Sequence, residues 1–362
     1  MGDVDAAARK LLTREVEEGR LFGAALHITV GGETRDPVCV GSRRLSGPTV
    51  PVEPDTIFLI ASLTKPIVAA AVMKVIEQDD LALEDPVSRF VPEFATQGKS
   101  AIRIRHLLTH TSGLPYQFPE NREYRKAKRP LADFVQRICQ LPLAFEPGSH
   151  ISYQSAGIAM LGEIIERITG EELTDYLEAI FFGPLGLEDT CLKLTERSER
   201  ESDVRIAGEG LLYGGSGTDF DWNSDYWRRF GAPWGGMLTT VEEMTRLLHL
   251  FRGGGELDGV RILDEHTVAK MIHDQTSNDE AIDAEDRRNQ RWGLGWRLGG
   301  GNQLAFGHGP SHRTFGHGGA TGTVAWIDPE VNATFVLLTN DPAAASGLKP
   351  RLSNLVSAAI RR

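Results

Sequence analysis

Strand-like runs near both ends of the chain, with a long helix-patterned stretch between them, predict an α+β fold. The expected architecture is one antiparallel sheet built from N- and C-terminal segments together, flanked by helices, with a mostly helical domain inserted. Three observations carry it. Residues 22–30 and 38–42 are apolar, β-branched runs separated by Gly31-Gly32-Glu33, a turn signal. Residues 292–298, 323–327 and 333–338 repeat that pattern, set off by glycine or Asp-Pro. From Asp85-Pro86 to about Arg252 the periodicity is helical, over 87–90, 104–108, 131–139, 157–169 and 241–251. The division expected from this is 1–84 and 288–362 as two parts of one α/β domain, with 85–287 as the helical insert.

Further elements follow in order. Residues 4–19 read as an amphipathic helix. Residues 56–60 lead into the alanine-rich run 66–72, which reads as a buried helix. Proline is tolerated only in a first helical turn, so Pro66 places that helix start near Ser62. Residues 196–203 and 278–291 are dense in charge and read as mobile loops. A glycine- and aspartate-rich stretch runs from Gly208 to Trp227, and residues 348–360 form a closing helix.

With 362 residues, 41% hydrophobic and 25% charged, the chain is long enough for two cores. A net charge of −11 argues against nucleic acid. The basic run Arg122, Arg125, Lys126, Lys128 and Arg129 departs from that average; it reads as a solvated face, or else as a patch steering anions. No apolar run reaches membrane-spanning length. The start Met1-Gly2-Asp3-Val4-Asp5 resembles neither a secretory signal nor a myristoylation site, so a cytoplasmic location is expected. Cys39, Cys139 and Cys191 are few and scattered, as in a reducing compartment.

The chemistry begins at Ser62-Leu63-Thr64-Lys65. Positions i and i+3 share a helix face, so a hydroxyl and an amine meet at the first turn. An amine in a water-poor site can take the serine proton, and the helix dipole favours negative charge there. Chance alone gives about one or two Ser-x-x-Lys copies in such a chain, and Ser346-Gly347-Leu348-Lys349 is a second one. Downstream segments separate them. Tyr153-Gln154-Ser155 sits on a loop between Pro147-Gly148 and the next helix, where a phenol can enter a cleft. In His317-Gly318-Gly319-Ala320 two glycines at a strand edge let a substrate approach the backbone. His106 and His110 have the spacing of a metal pair, but Leu107 stands where a glutamate base is required. His308, His312 and His317 are irregularly spaced, and no metal or cofactor is expected.

In the order Ser62-x-x-Lys65, Tyr153-x-Ser155, His317-x-Gly319, the chain resembles the penicillin-recognising serine hydrolase superfamily. Its class C β-lactamase branch, with the related family VIII esterases and D-amino-acid peptidases, is most similar. The resemblance covers nearly the whole chain and implies the β-lactamase/transpeptidase-like fold. The second Ser-x-x-Lys fails, because only 13 residues follow Lys349. The resemblance makes Ser62 the acylated nucleophile, Lys65 its base partner and Tyr153 the proton shuttle. It makes the N–H groups of Ser62 and Ala320 the oxyanion hole, and Gln117, Ser155, His317, Gly318 and Gly319 substrate contacts.

Two departures bear on substrate. Ser155 replaces the family asparagine and offers a hydroxyl in place of an amide. His317 replaces a lysine, exchanging a permanent cation for a group mostly neutral at pH 7. Both this loss of charge and the absence of an export signal favour esters over β-lactams. The expected function is therefore a serine hydrolase cleaving carboxylic esters of small or medium acyl groups through acyl-Ser62. Alternatives are a β-lactamase, D-aminopeptidase or acyltransferase using the same set, or a non-catalytic binding module. The expected partner is a small ester or amide; oligomeric state is not legible.

Overall fold

The computed structural model describes residues 4–206, 216–301 and 306–361. Met1-Gly2-Asp3 and the part of the glycine-rich stretch from Gly208 to residue 215 lie outside them. The strands are β1 (Gly23–Val30), β2 (Glu33–Thr34), β3 (Val38–Gly41), β4 (Phe58–Leu59), β5 (Leu238–Thr239), β6 (Glu256–Leu257), β7 (Val260–Arg261), β8 (Arg297–Leu298), β9 (Phe315–Gly318), β10 (Val324–Asp328) and β11 (Ala333–Thr339). The main sheet has the antiparallel order β2-β1-β11-β10-β9-β8, with β3 also on β1. Opposite ends of the chain meet at its centre, where β1 pairs with β11 from Ala24↔Thr339 to Thr29↔Thr334.

Period-2 alternation divides these strands between two cores. Ala24, Leu26 and Ile28 of β1, with Phe335 and Leu337 of β11, face the first helix (Val4–Glu17) and the last (Leu348–Ile360). Ala25, Val336 and Leu338 face the other way, into the larger core. That core holds the serine helix Thr64–Glu77 and the helices Leu131–Cys139, Ala156–Thr169 and Val241–Arg252. No helix among the described residues is long and apolar enough to cross a membrane.

Several expectations are corrected. The serine helix begins at Thr64, and Ser62 occupies a preceding 3₁₀ turn, Ala61–Leu63. Residues 87–90 form only a 3₁₀ turn. The strand expected over 292–298 shrinks to β8, because Gly295 leaves extended geometry (φ 81°) where the serine helix passes; a Cβ there would lie 2.3 Å from that of Ala69. Neither charge-dense segment is a loose loop. Glu201 is buried and paired with Arg197 at 3.0 Å, and Ser202 N–H donates to Ile57 O. Residues 278–291 contain the helix Ala284–Asn289 and place Ile282 in a small core with Ile151 and Trp292. In the basic run, Arg125 is not solvated: its guanidinium stacks 4.1 Å over Trp227 and donates to Phe220 O.

Candidate active site

The turn carrying Ser62 is held from three sides. Ile60 N–H donates to Met237 O, Thr321 Oγ1 to Leu59 O, and Thr323 Oγ1 to Ile60 O. Ala61 sits at φ 50°, a left-handed conformation costing about 1–3 kcal/mol outside glycine. Its carbonyl accepts from Thr64 Oγ1 at 2.7 Å. Strain so anchored fixes the direction in which the next residue, Ser62, projects.

Lys65 Nζ lies 3.0 Å from Ser62 Oγ and 2.7 Å from Trp234 O. Ser62 is partly exposed, whereas Lys65 is 1% exposed. Burial drives the Lys65 amine well below the ordinary lysine range. Nζ donates to both oxygens, and loss of one of its protons would leave a lone pair facing Ser62 Oγ. A partly exposed hydroxyl thus meets a buried amine whose pKa is lowered.

Tyr153 closes the site above the lysine, with Lys65 Nζ 4.9 Å from the ring centroid. The ring stacks on Trp292 (5.9 Å, 21°) and Tyr116 (5.9 Å, 28°), and leans on His110 (4.8 Å). The segment containing Ile282 props this wall from behind. Asp283 N–H donates to Ser149 O, and Ile151 N–H to Asp286 Oδ2. His110 at φ 62° accepts the Gln154 N–H through Nδ1, and His106 Nδ1 accepts the Arg103 N–H. These two histidines thus serve local structure.

His317 lies on β9 opposite Ala325, its ring 5.7 Å from Tyr153. Nδ1 meets Gly318 O at 2.7 Å, so that nitrogen carries the proton and Nε2 is a buried lone pair with no hydrogen-bond partner. Burial, with the nearby Lys65 charge, pushes the His317 pKa down to about 3. The imidazole is neutral, as its type leads one to expect, and far more firmly so. Gly319 and Ala320 bring the backbone against the Ser62 turn. The Ser62 and Ala320 N–H groups have no acceptor among the described hydrogen bonds. A cavity of about 30 Å³ beside Ser62 is lined by Tyr116, Gln117, Ser155, Trp222, Trp234 and Ala320, among others. Gln117 Oε1 is buried and unpaired; Ser155 N–H donates to Tyr116 O. Ser62, Gln117, Ser155 and Ala320 line this cavity, Lys65, Tyr153 and His317 adjoin Ser62 through successive contacts, and Gly318 is exposed.

The family model described as Beta-lactamase matches residues 8–358. The chain belongs to the β-lactamase family. Within this family of serine hydrolases it is 30% identical to esterase EstB of Burkholderia gladioli over 356 residues, covering 90% of this chain and 87% of that protein. Protein Rv1367c of Mycobacterium tuberculosis is 28% identical, covering 85% of each chain. Among solved structures, a penicillin-binding protein homologue from Caulobacter crescentus superposes with TM-score 0.80 at 24% identity, covering 99% of this chain and 97% of that one. These place the fold as β-lactamase/transpeptidase-like.

Sequence reasoning missed parts of this site. Trp234 enters through its carbonyl, which any residue possesses, and Trp292 as a stacking wall. Two cations escaped notice: Arg297 on β8 and Lys349 on the last helix, whose charges both press on His317. Arg297 could have been found from its place in an apolar run. Lys349 belongs to the discarded Ser-x-x-Lys copy.

Proposed function

We propose that this protein hydrolyses carboxylic esters of small or medium acyl groups through an acyl-Ser62 intermediate. One observation carries the reading: a partly exposed serine hydroxyl 3.0 Å from a buried amine held well below its usual pKa. Lys65 accepts the Ser62 proton as Oγ adds to the ester carbonyl. The resulting oxyanion lies against the N–H groups of Ser62 and Ala320; such donors are worth ~3–4 kcal/mol each. Tyr153 passes a proton to the departing alcohol and receives one from the water that later releases the acid, as Lys65 returns its proton to Ser62 Oγ. The cavity beside Ser62, lined by Tyr116, Gln117 and Trp234 among others, gives an acyl group a place next to the nucleophile. The 30% identity with an esterase over most of both chains supports the choice of an ester.

A second reading has its own support. The neutral His317 removes a cation that β-lactamases use for the substrate carboxylate, but Arg297 and Lys349 bring positive charge back to its neighbourhood. That field favours carboxylate-bearing substrates, as in a β-lactamase or D-aminopeptidase; an acyltransferase would use the same acyl-enzyme. A panel of nitrophenyl esters of rising chain length, run beside a chromogenic cephalosporin and D-amino-acid amides, separates these readings. Highest kcat/KM on acetyl to butyryl esters is expected, with Ser62→Ala inactive. Fast cephalosporin turnover without ester turnover contradicts it, and product diverted by an added alcohol indicates acyl transfer.

A further inference from the structure

Lys349 occupies an unfavourable place. It stands in the first turn of the last helix, Leu348–Ile360, where the dipole is positive and repels a cation. It is largely withdrawn from water, and burial alone brings its pKa down to about 8, with no carboxylate acting to raise it. A cation kept against both penalties needs a specific partner. That partner is the Gly319 carbonyl, 3.0 Å from Nζ.

The Gly319 carbonyl and the Ala320 N–H belong to one peptide unit. In a trans peptide they point in opposite directions, and no cis bond occurs among the described residues. An ammonium on the oxygen therefore sits behind the amide that faces the Ser62 turn. It fixes the plane of that peptide and draws electron density toward the oxygen, strengthening the N–H as a donor. The rest of the turn is already tied down: Gly319 N–H donates to Thr323 O, and Gly322 N–H also reaches Gly319 O. We propose that Lys349 is a positioning residue for the oxyanion hole, clamping and polarising the Gly319–Ala320 peptide from the side opposite the substrate. This rests on the reading above that the Ala320 N–H receives the oxyanion. It also gives the second Ser-x-x-Lys copy a role for its lysine without a nucleophile.

The test uses an uncharged ester, nitrophenyl acetate, which an ammonium cannot hold as a counter-ion. One oxyanion donor is worth about 10²–10³ in rate, and a hydrogen bond behind it strengthens it by about 10–30%. Allowing for the charge, Lys349→Met is expected to lower kcat roughly 3- to 10-fold, with KM within about twofold. The rate of Ser62 phosphonylation by a fluorophosphonate, followed by intact mass, should fall in parallel. Lys349→Arg should restore most of both, and the thermal midpoint should stay near that of the wild type. Lys349→Gln should show the same split, which covers poor folding of the methionine variant. Unchanged kcat and labelling rate in Lys349→Met overturn the proposal, as does a change confined to the KM of anionic esters, the mark of a carboxylate anchor. Failure of the wild type itself to label at Ser62 would instead overturn the acyl-enzyme reading beneath it.

Discussion

Tyr153→Phe removes one oxygen and leaves the ring its contacts with Trp292, Tyr116 and His110. If the phenol moves protons, kcat on a nitrophenyl ester falls about 10²–10⁴-fold while the thermal midpoint hardly changes. Near-wild-type turnover would remove Tyr153 from the reaction. At this scale the sequence was legible where chemistry depends on side-chain type and short spacing. Ser62 and Lys65 stand three apart, and one turn brings them to 3.0 Å. A neutral His317 was foreseeable from residue type, but its pKa near 3 was not, since that depends on burial and on Lys65. The consequence bears on the pH profile of activity. An activity transition in the usual histidine range would belong to another group, because His317 gains its proton only near pH 3. Contacts through backbone carbonyls, such as Trp234 O on Lys65, leave no signature in the letters.

The element that matters most is the turn joining β9 to β10, because it delivers Ala320 to Ser62. Its tolerance is small: a Cβ on Gly319 would lie 2.0 Å from Thr323 Oγ1 and 2.3 Å from Ile60 O. Gly319→Ala must therefore push the turn away from the nucleophile. We expect at least about 10²-fold lower kcat, the value of one oxyanion donor, together with a lower thermal midpoint. An alanine variant with wild-type kinetics would show that this close approach does not serve the reaction. Long periodic helices such as Ala156–Thr169 and the strands β1 and β11 were readable, because apolar spacing alone specifies a buried face. Charge-dense segments were misread for a physical reason. Density of charge reports solvation only when the charges lack partners in the fold. Glu201 instead neutralises Arg197 beside a buried backbone pairing with Ile57, and Asp286 ties residues 278–291 to the Tyr153 loop.

Across the molecule, burial lowers the pKa of five histidines: His27, His106, His110, His249 (down to about 4) and His317 (down to about 3). Their folded pKa values lie below the unfolded value of about 6.5, so between the two the unfolded chain binds more protons. The stability these histidines contribute is fully present above about pH 6.5 and is lost as the pH falls toward their folded values. Glu166 and Glu243, raised by burial, act in the opposite sense but are fewer. The thermal midpoint should drop by about 5 °C or more from about pH 7.5 to about pH 5; a flat midpoint over that span contradicts the buried neutral set. The turn after β9 meets the Ser62 turn, the Tyr153 loop stands over Lys65, and the chemical claim made for this arrangement is a covalent one. The most direct measurement is the intact mass of the protein quenched during turnover of a nitrophenyl ester, with peptide mapping. The account predicts a mass increase of one acyl group, located on Ser62 and lost in Ser62→Ala. Ester turnover with no adduct at Ser62, or with the adduct on another residue, would contradict it.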